Sequence, residues 1–122
     1  MTKHVSVALA TLLLSCAPPE KGPGVSIARG NEPFWAVSVD GSVARVRTPD
    51  LPDGIAYYAG RWKRDSTGAG WVYRARRERA EGLWLTLEIS QTPCTDTMSG
   101  AESPFRAVLT YDDRRVEGCA SS

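Results

Sequence analysis

Residues 35–46 read Trp-Ala-Val-Ser-Val-Asp-Gly-Ser-Val-Ala-Arg-Val, so larger apolar side chains alternate with small or polar ones on both sides of Asp40-Gly41. A period of two is typical of a half-buried β-strand. Asp-Gly is preferred in type I′ hairpin turns because both positions need positive φ. Folding about this turn predicts a hairpin with Val39 opposite Ser42, Val37 opposite Ala44 and Trp35 opposite Val46. One face is then apolar, and the other carries Ser38, Val43, Arg45 and Arg47.

The same alternation recurs along the chain with turns every eight to twelve residues. It marks further strands at Val25–Arg29, Ile55–Arg64, Trp71–Arg76, Leu83–Ile89, Phe105–Tyr111 and Val116–Ala120. Proline and glycine mark loops at Thr48–Gly54 and Pro93–Pro104. No window of eleven or more residues has a helical period. The sequence therefore predicts an all-β fold, a small antiparallel barrel or sandwich of about seven to eight strands, in up-and-down order.

Length and composition exclude several classes of protein. A chain of 122 residues allows one domain. Fifteen Lys and Arg against fourteen Asp and Glu give no support for a nucleic-acid binder. The single histidine, His4, lies in the N-terminal segment, and no GxSxG motif or phosphate-binding glycine loop is present. We therefore predict a protein that is not an enzyme and that has no cofactor and no metal site.

The N-terminus has the features of a bacterial lipoprotein signal in the expected order. Lys3 supplies a charge, and Val5–Leu14 is mostly apolar but too short to span a membrane, which needs about 20 residues. Leu13-Leu14-Ser15-Cys16 then resembles a lipobox, in which the cysteine is acylated and the chain is cut before it. We predict a signal peptide over residues 1–15 and lipidation of Cys16. An ordinary secretory signal with a chance cysteine is the alternative.

The residues after Cys16 indicate location and tethering. Ala17 stands where an Asp would resemble an inner-membrane retention signal, which favours the outer membrane facing the periplasm. Residues 16–24 contain three prolines and two glycines, a composition typical of an extended tether. The expected arrangement is a single β domain, residues 25–122, attached to the membrane of the bacterial envelope through its lipid anchor.

Cysteine number predicts a disulfide. With Cys16 acylated, Cys94 and Cys119 form an even pair in an exported chain, where disulfides persist. A metal pair or a free thiol is the alternative, although zinc fits poorly because neither cysteine belongs to a CxxC motif and no histidine follows the signal. Met98 adds a possible copper or redox site with Cys94. Asp96 and Ser99 better suit turn bonds to the backbone, so we favour a structural role.

Three motifs resemble an uncharacterised family of bacterial envelope lipoproteins. They are Gly30-Asn31-Glu32-Pro33-Phe34-Trp35, then Cys94-Thr95-Asp96-Thr97-Met98-Ser99, and Pro104-Phe105 followed by the closing Gly118-Cys119-Ala120. The resemblance covers most of residues 27–120 and implies an exported β domain with Cys94 bonded to Cys119; it carries no activity. The Arg-rich stretch Pro49–Gly82 does not match it. Glu32 and Trp35 could line the opening of a ligand site. Alternatively, the glycine and proline of this motif shape a turn and Trp35 is a core residue, which is the interpretation that we favour.

Charge is unevenly distributed along the chain. Residues 43–79 hold nine basic and four acidic groups, whereas residues 80–122 hold three arginines and seven acids. If Trp35, Trp62 and Trp71 point inward, alternation sends six basic side chains outward together: Arg45, Arg47, Arg61, Lys63, Arg74 and Arg76. We predict that this patch docks an anionic partner, which is lipid phosphate, acidic wall polymer or an acidic protein. A solvated face, relieved by Glu88 on the next strand, is the alternative.

The sequence predicts a non-catalytic binding or interaction domain in a lipid-anchored envelope protein. A periplasmic inhibitor of a cell-wall hydrolase is the alternative. Small disulfide-bonded β lipoproteins that inhibit lysozyme are similar in size, location and architecture, which is a fold-level analogy.

Overall fold

The computed structural model describes residues 21–122. The predicted signal peptide (1–15), Cys16 and residues 17–20 of the predicted tether lie outside the described residues. Besides a 3-10 turn at Pro52–Gly54, the structure contains ten strands: β1 (Ile27–Asn31), β2 (Phe34–Asp40), β3 (Val43–Arg47), β4 (Ile55–Arg64), β5 (Gly70–Arg77), β6 (Trp84–Ser90), β7 (Cys94–Thr95), β8 (Glu102–Ser103), β9 (Phe105–Tyr111) and β10 (Arg114–Ser121).

Eight of these strands close into an antiparallel barrel in the order β1-β10-β9-β6-β5-β4-β3-β2, and β7 and β8 form a separate two-stranded sheet. Each barrel strand pairs with the next barrel strand along the chain, and β10 closes the ring against β1. The prediction of an all-β, up-and-down fold is confirmed, with the barrel rather than the sandwich. In a ring of eight, β3, β4 and β5 lie opposite β9, β10 and β1.

Period-two alternation predicted the barrel strands closely. β4 and β9 begin and end at the predicted residues, and Leu85, Leu87 and Ile89 form a buried ladder in β6. Strands β7 and β8 fall inside the predicted loop Pro93–Pro104. With two residues each, they are too short to show any alternation.

The hairpin of β2 and β3 forms, but its predicted register is wrong. Val39 pairs with Ala44 and Val37 with Val46, so Gly41-Ser42 is the loop. Of these two loop residues only Gly41 has positive φ, at 57°, which is the sign pattern of a type II′ turn with glycine first. Because each partner shifts by two residues, every side chain stays on its predicted face.

Large apolar side chains fill the barrel. The largest fully buried ones are Trp35, Val37, Val46, Tyr58, Tyr73, Leu85, Leu87, Ile89 and Leu109. Trp62 and Trp71 are partly buried and pack against this core. The strands and core residues of the described chain all lie within 25–121, so residues 21–122 contain the complete barrel.

Two segments close the ends of the barrel. The loop after β3 buries Leu51 and reaches across to β9 and β10, where the Tyr111 hydroxyl donates to Asp50 at 3.1 Å and Arg114 Nε pairs with Asp50 at 3.0 Å. At the other end, the residues before β1 bury Val25 and place Gly22 against the indole of Trp62 in β4. The chain therefore enters the barrel domain on the side of β4.

Candidate functional site

The three sequence motifs meet on the side of the barrel formed by β1, β9 and β10. Cys94 in β7 is disulfide-bonded to Cys119 in β10, with 5.5 Å between the Cα atoms, which confirms the predicted pair. Asn31 Nδ2 donates to both carboxylate oxygens of Asp96 at 2.9 Å. We call the cluster of Asn31, Trp35, Cys94, Asp96, Gly118 and Cys119 the clasp.

Asp96 organises the loop that carries β7. Its carboxylate accepts hydrogen bonds from the backbone N–H groups of Met98 at 2.8 Å and Ser99 at 2.9 Å. The Ser99 N–H, then the Asn31 amide and the Met98 N–H, lower the pKa of Asp96 to about 2. These bonds favour the ionised carboxylate. The turn-forming role predicted for Asp96 is confirmed. The same carboxylate also binds the loop to β1 through Asn31.

The glycines of the motifs make room for Trp35. The indole Nε1 donates to the Glu117 carbonyl at 3.2 Å, and the ring is buried. A Cβ at Gly30 would collide with the indole, and one at Gly118 would collide with the Arg29 carbonyl and the same ring. The interpretation of Trp35 as a core residue is therefore confirmed, while Glu32 is exposed.

A cleft of about 280 Å³ lies over the clasp, bordered by Arg29, Glu32, Arg106 and Glu117. Glu117 pairs with Arg106 at 3.0 Å and with Arg115 at 3.3 Å. The Cys94 sulfur is bonded to Cys119, and Met98 is 71% exposed, so the two do not form a soft metal site. The disulfide and the bond from Asn31 to Asp96 hold the β7 loop against β10 and β1.

The pKa of Asp96 predicts an acid-sensitive clasp. Since folding lowers this pKa from 3.8 to about 2, the stabilisation is present above pH 4 and is lost as the pH falls toward 2. The melting temperature should therefore fall less steeply between pH 4 and pH 2 in Asp96→Asn than in the unaltered chain. Asp113→Asn, in the exposed turn before β10, serves as the control. If the melting temperature fell equally steeply with pH in all three proteins, this role of Asp96 would be contradicted.

The six predicted basic side chains are all exposed on the outer faces of β3, β4 and β5. We call the set Arg45, Arg47, Arg61, Lys63, Arg74 and Arg76 the basic wall. Arg61 lies directly opposite Arg74, whereas Arg45 and Arg47 lie farther along, opposite Tyr57 and Ile55. The wall is thus a diagonal band rather than a compact cluster.

None of the six forms an ion pair within residues 21–122. The ion pairs of that part of the chain use Arg77, Arg106, Arg114 and Arg115 instead. Glu88 lies in the same cross-strand row as Lys63, with Val72 between them. The charges of the basic wall therefore face solvent without a carboxylate in contact.

Exposed aromatic rings lie among these charges, a feature that the sequence interpretation missed. Tyr57 is 46% exposed and Trp84 49%. Arg76 lies over the Trp84 ring at 5.1 Å, and Tyr57 pairs across the strands with Arg45. The alternation of the sequence indicates that both rings are exposed, since Tyr57 and Trp84 occupy outward positions next to buried residues.

The fold and its surfaces define a disulfide-bonded, closed eight-stranded up-and-down barrel, with the clasp on one side and a cationic, aromatic surface on the other. No family model matches the chain, and neither a curated protein nor a solved structure is significantly similar to it. Within residues 21–122, no helix is long and apolar enough to cross a membrane.

Proposed function

We propose that the chain is a lipid-anchored protein of the bacterial envelope whose barrel is a non-catalytic binding domain, and that the basic wall binds an anionic partner. One observation carries the proposal: six exposed cations lie on three neighbouring strands with no ion-pair partner in the described part of the chain. Arg61 and Arg74 are directly opposed, an arrangement that is unfavourable without a counter-charge.

The spacing of the wall lets its charges act together. Neighbouring strands lie about 4.8 Å apart, and successive same-face residues lie about 7 Å apart along a strand. These separations are shorter than the Debye length of about 10 Å at 0.1 M salt. Arg61, Lys63, Arg74 and Arg76 therefore add to one positive potential, which attracts a polyanion and weakens as salt rises, and Arg45 and Arg47 extend it farther along the barrel.

The contacts on the clasp side of the barrel support the assignment of binding to the basic wall. Around the clasp, the Asp96 carboxylate and Glu117 are occupied by bonds within the domain. The anchor itself is proposed from the lipobox at Leu13–Cys16. The mass of the mature N-terminus tests it, because a lipidated Cys16 must be the first residue.

The proposal is tested by two variants of the chain of residues 21–122 that lose the same charge on opposite sides. Arg45→Gln/Arg61→Gln/Arg74→Gln alters the basic wall, and Arg29→Gln/Arg106→Gln/Arg115→Gln alters the clasp side. With about 1 kcal/mol per basic residue near an anionic surface, the first variant should bind roughly 100-fold more weakly.

Binding is measured by titration with poly-L-glutamate and with vesicles containing phosphatidylglycerol, at low and high salt. We expect salt-sensitive binding that the clasp-side variant retains. If the unaltered chain binds neither probe, or both variants weaken binding equally, the proposal is wrong. A lysozyme-inhibition assay on the same chain separates it from the hydrolase-inhibitor alternative.

A further inference from the structure

We infer that the basic wall, together with Val43, Tyr57 and Trp84, is a membrane-docking face that lies against an anionic lipid bilayer. The inference rests on the proposed function and names the partner: the headgroup layer of the membrane that carries the anchor. It draws on the exposed apolar side chains and on the point where the N-terminal segment leaves the barrel.

Exposed apolar side chains concentrate on this side of the barrel. Val43, Tyr57 and Trp84 point outward from β3, β4 and β6, whereas Phe34 on β2 pairs with Asn31 of the clasp. Exposed apolar groups gathered on one surface mark protein or membrane contacts. Trp and Tyr favour the membrane interface because one end of the side chain is apolar and the other polar.

An arginine of the wall lies over one of these rings. The Arg76 guanidinium lies 5.1 Å from the centre of the Trp84 ring. Arginine can bind a phosphate through two parallel hydrogen bonds while its plane stacks on an aromatic ring. Such pairs suit the depth at which lipid phosphates meet the first acyl carbons.

A shallow groove of about 310 Å³ lies beside Trp84. It is lined by Arg74, Trp84 and Thr86, and its surface is almost entirely apolar. Such a groove suits the start of a lipid acyl chain better than a ligand that is recognised by charge alone. Two carboxylates also lie on this side of the barrel: Glu78, whose backbone N–H donates to the Tyr57 carbonyl, and Glu88, across Val72 from Lys63.

The chain leaves the barrel at one end of it. Gly22 lies against the inward-facing ring of Trp62 in β4, at the end of the barrel where the residues before β1 are packed. Five residues lie between Cys16 and Gly22, and the six Cα–Cα steps span at most about 22 Å when fully extended. An acylated Cys16 therefore keeps the barrel close to the bilayer, and the exposed rings and cations select the face that meets it.

The experiment uses the chain of residues 21–122, which lacks the anchor, and vesicles of phosphatidylcholine with or without phosphatidylglycerol. We expect binding only when phosphatidylglycerol is present. Brominated acyl chains should quench the tryptophan fluorescence, and Trp84→Phe should remove most of the quenching because Trp84 is the exposed indole of the face.

A second variant separates docking from charge attraction. Tyr57→Ser/Trp84→Ser should weaken vesicle binding at least tenfold and leave poly-L-glutamate binding unchanged. Met98→Ser, which removes an exposed apolar side chain far from the wall, should change neither. Circular dichroism melts verify that all variants are folded.

The outcomes distinguish the inference from the proposed function. Salt-sensitive binding of poly-L-glutamate without vesicle binding leaves the proposed function standing and overturns the inference. Vesicle binding that shows no quenching and is unchanged by Tyr57→Ser/Trp84→Ser also overturns it. Binding to neither probe overturns both.

Discussion

Replacing Trp35 with Ala is expected to lower the free energy of unfolding by about 3–5 kcal/mol, the range for deleting a large buried aromatic side chain. Trp35 is 1% exposed and fills the space between Gly30 and Gly118. Its loss leaves a cavity there and removes the hydrogen-bond donor of the Glu117 carbonyl. Urea unfolding monitored by circular dichroism measures the change.

Trp84→Ala is the matched control, since it makes the same chemical change on the outer surface. Trp84 is half-exposed and touches Arg76, a contact worth about 0.5–1 kcal/mol at an exposed site. The control should therefore lose clearly less than Trp35→Ala, because about half of the Trp84 side chain already faces water. Equal losses in the two variants would show that Trp35 is not the core residue described above.

Removing the disulfide is expected to cost about 3.5 kcal/mol. Cys94 and Cys119 are 25 residues apart in sequence, and the chain-entropy relation assigns this value to a loop of that length. The double variant Cys94→Ala/Cys119→Ala should unfold at correspondingly lower urea concentration. Reducing the unaltered chain should have a similar effect, while the reductant should not change the double variant. A loss below about 1 kcal/mol in both comparisons would contradict a role for the bond in global stability.

The fold was predictable where burial follows local alternation. Phe105–Tyr111 matched β9 because inward residues are two apart along the chain and face a single core. The register at Gly41-Ser42 was not predictable from the dipeptide Asp40-Gly41, since glycine suits the first position of one turn type and the second position of another. Only the pairing of both strands selects between them.

The candidate site was predictable to the same extent. Alternation identified the six outward basic side chains, and the strand Leu83–Ile89 likewise indicates an outward Trp84, a consequence that the sequence interpretation did not draw. The bond from Asn31 to Asp96 joins residues 65 apart, a contact that no local pattern indicates. That the clasp and the basic wall lie on opposite sides depends on the order in which the strands close the barrel.

Chemical footprinting of arginines on anionic vesicles tests most directly which side of the barrel binds. The chain of residues 21–122 is modified with phenylglyoxal, with and without phosphatidylglycerol vesicles, and each site is quantified by mass spectrometry. We predict protection of Arg45, Arg61 and Arg74 on the basic wall and unchanged modification of Arg29 and Arg115 on the opposite side. Equal protection of all five arginines, or protection confined to Arg29 and Arg115, would contradict the assignment of the basic wall as the binding surface.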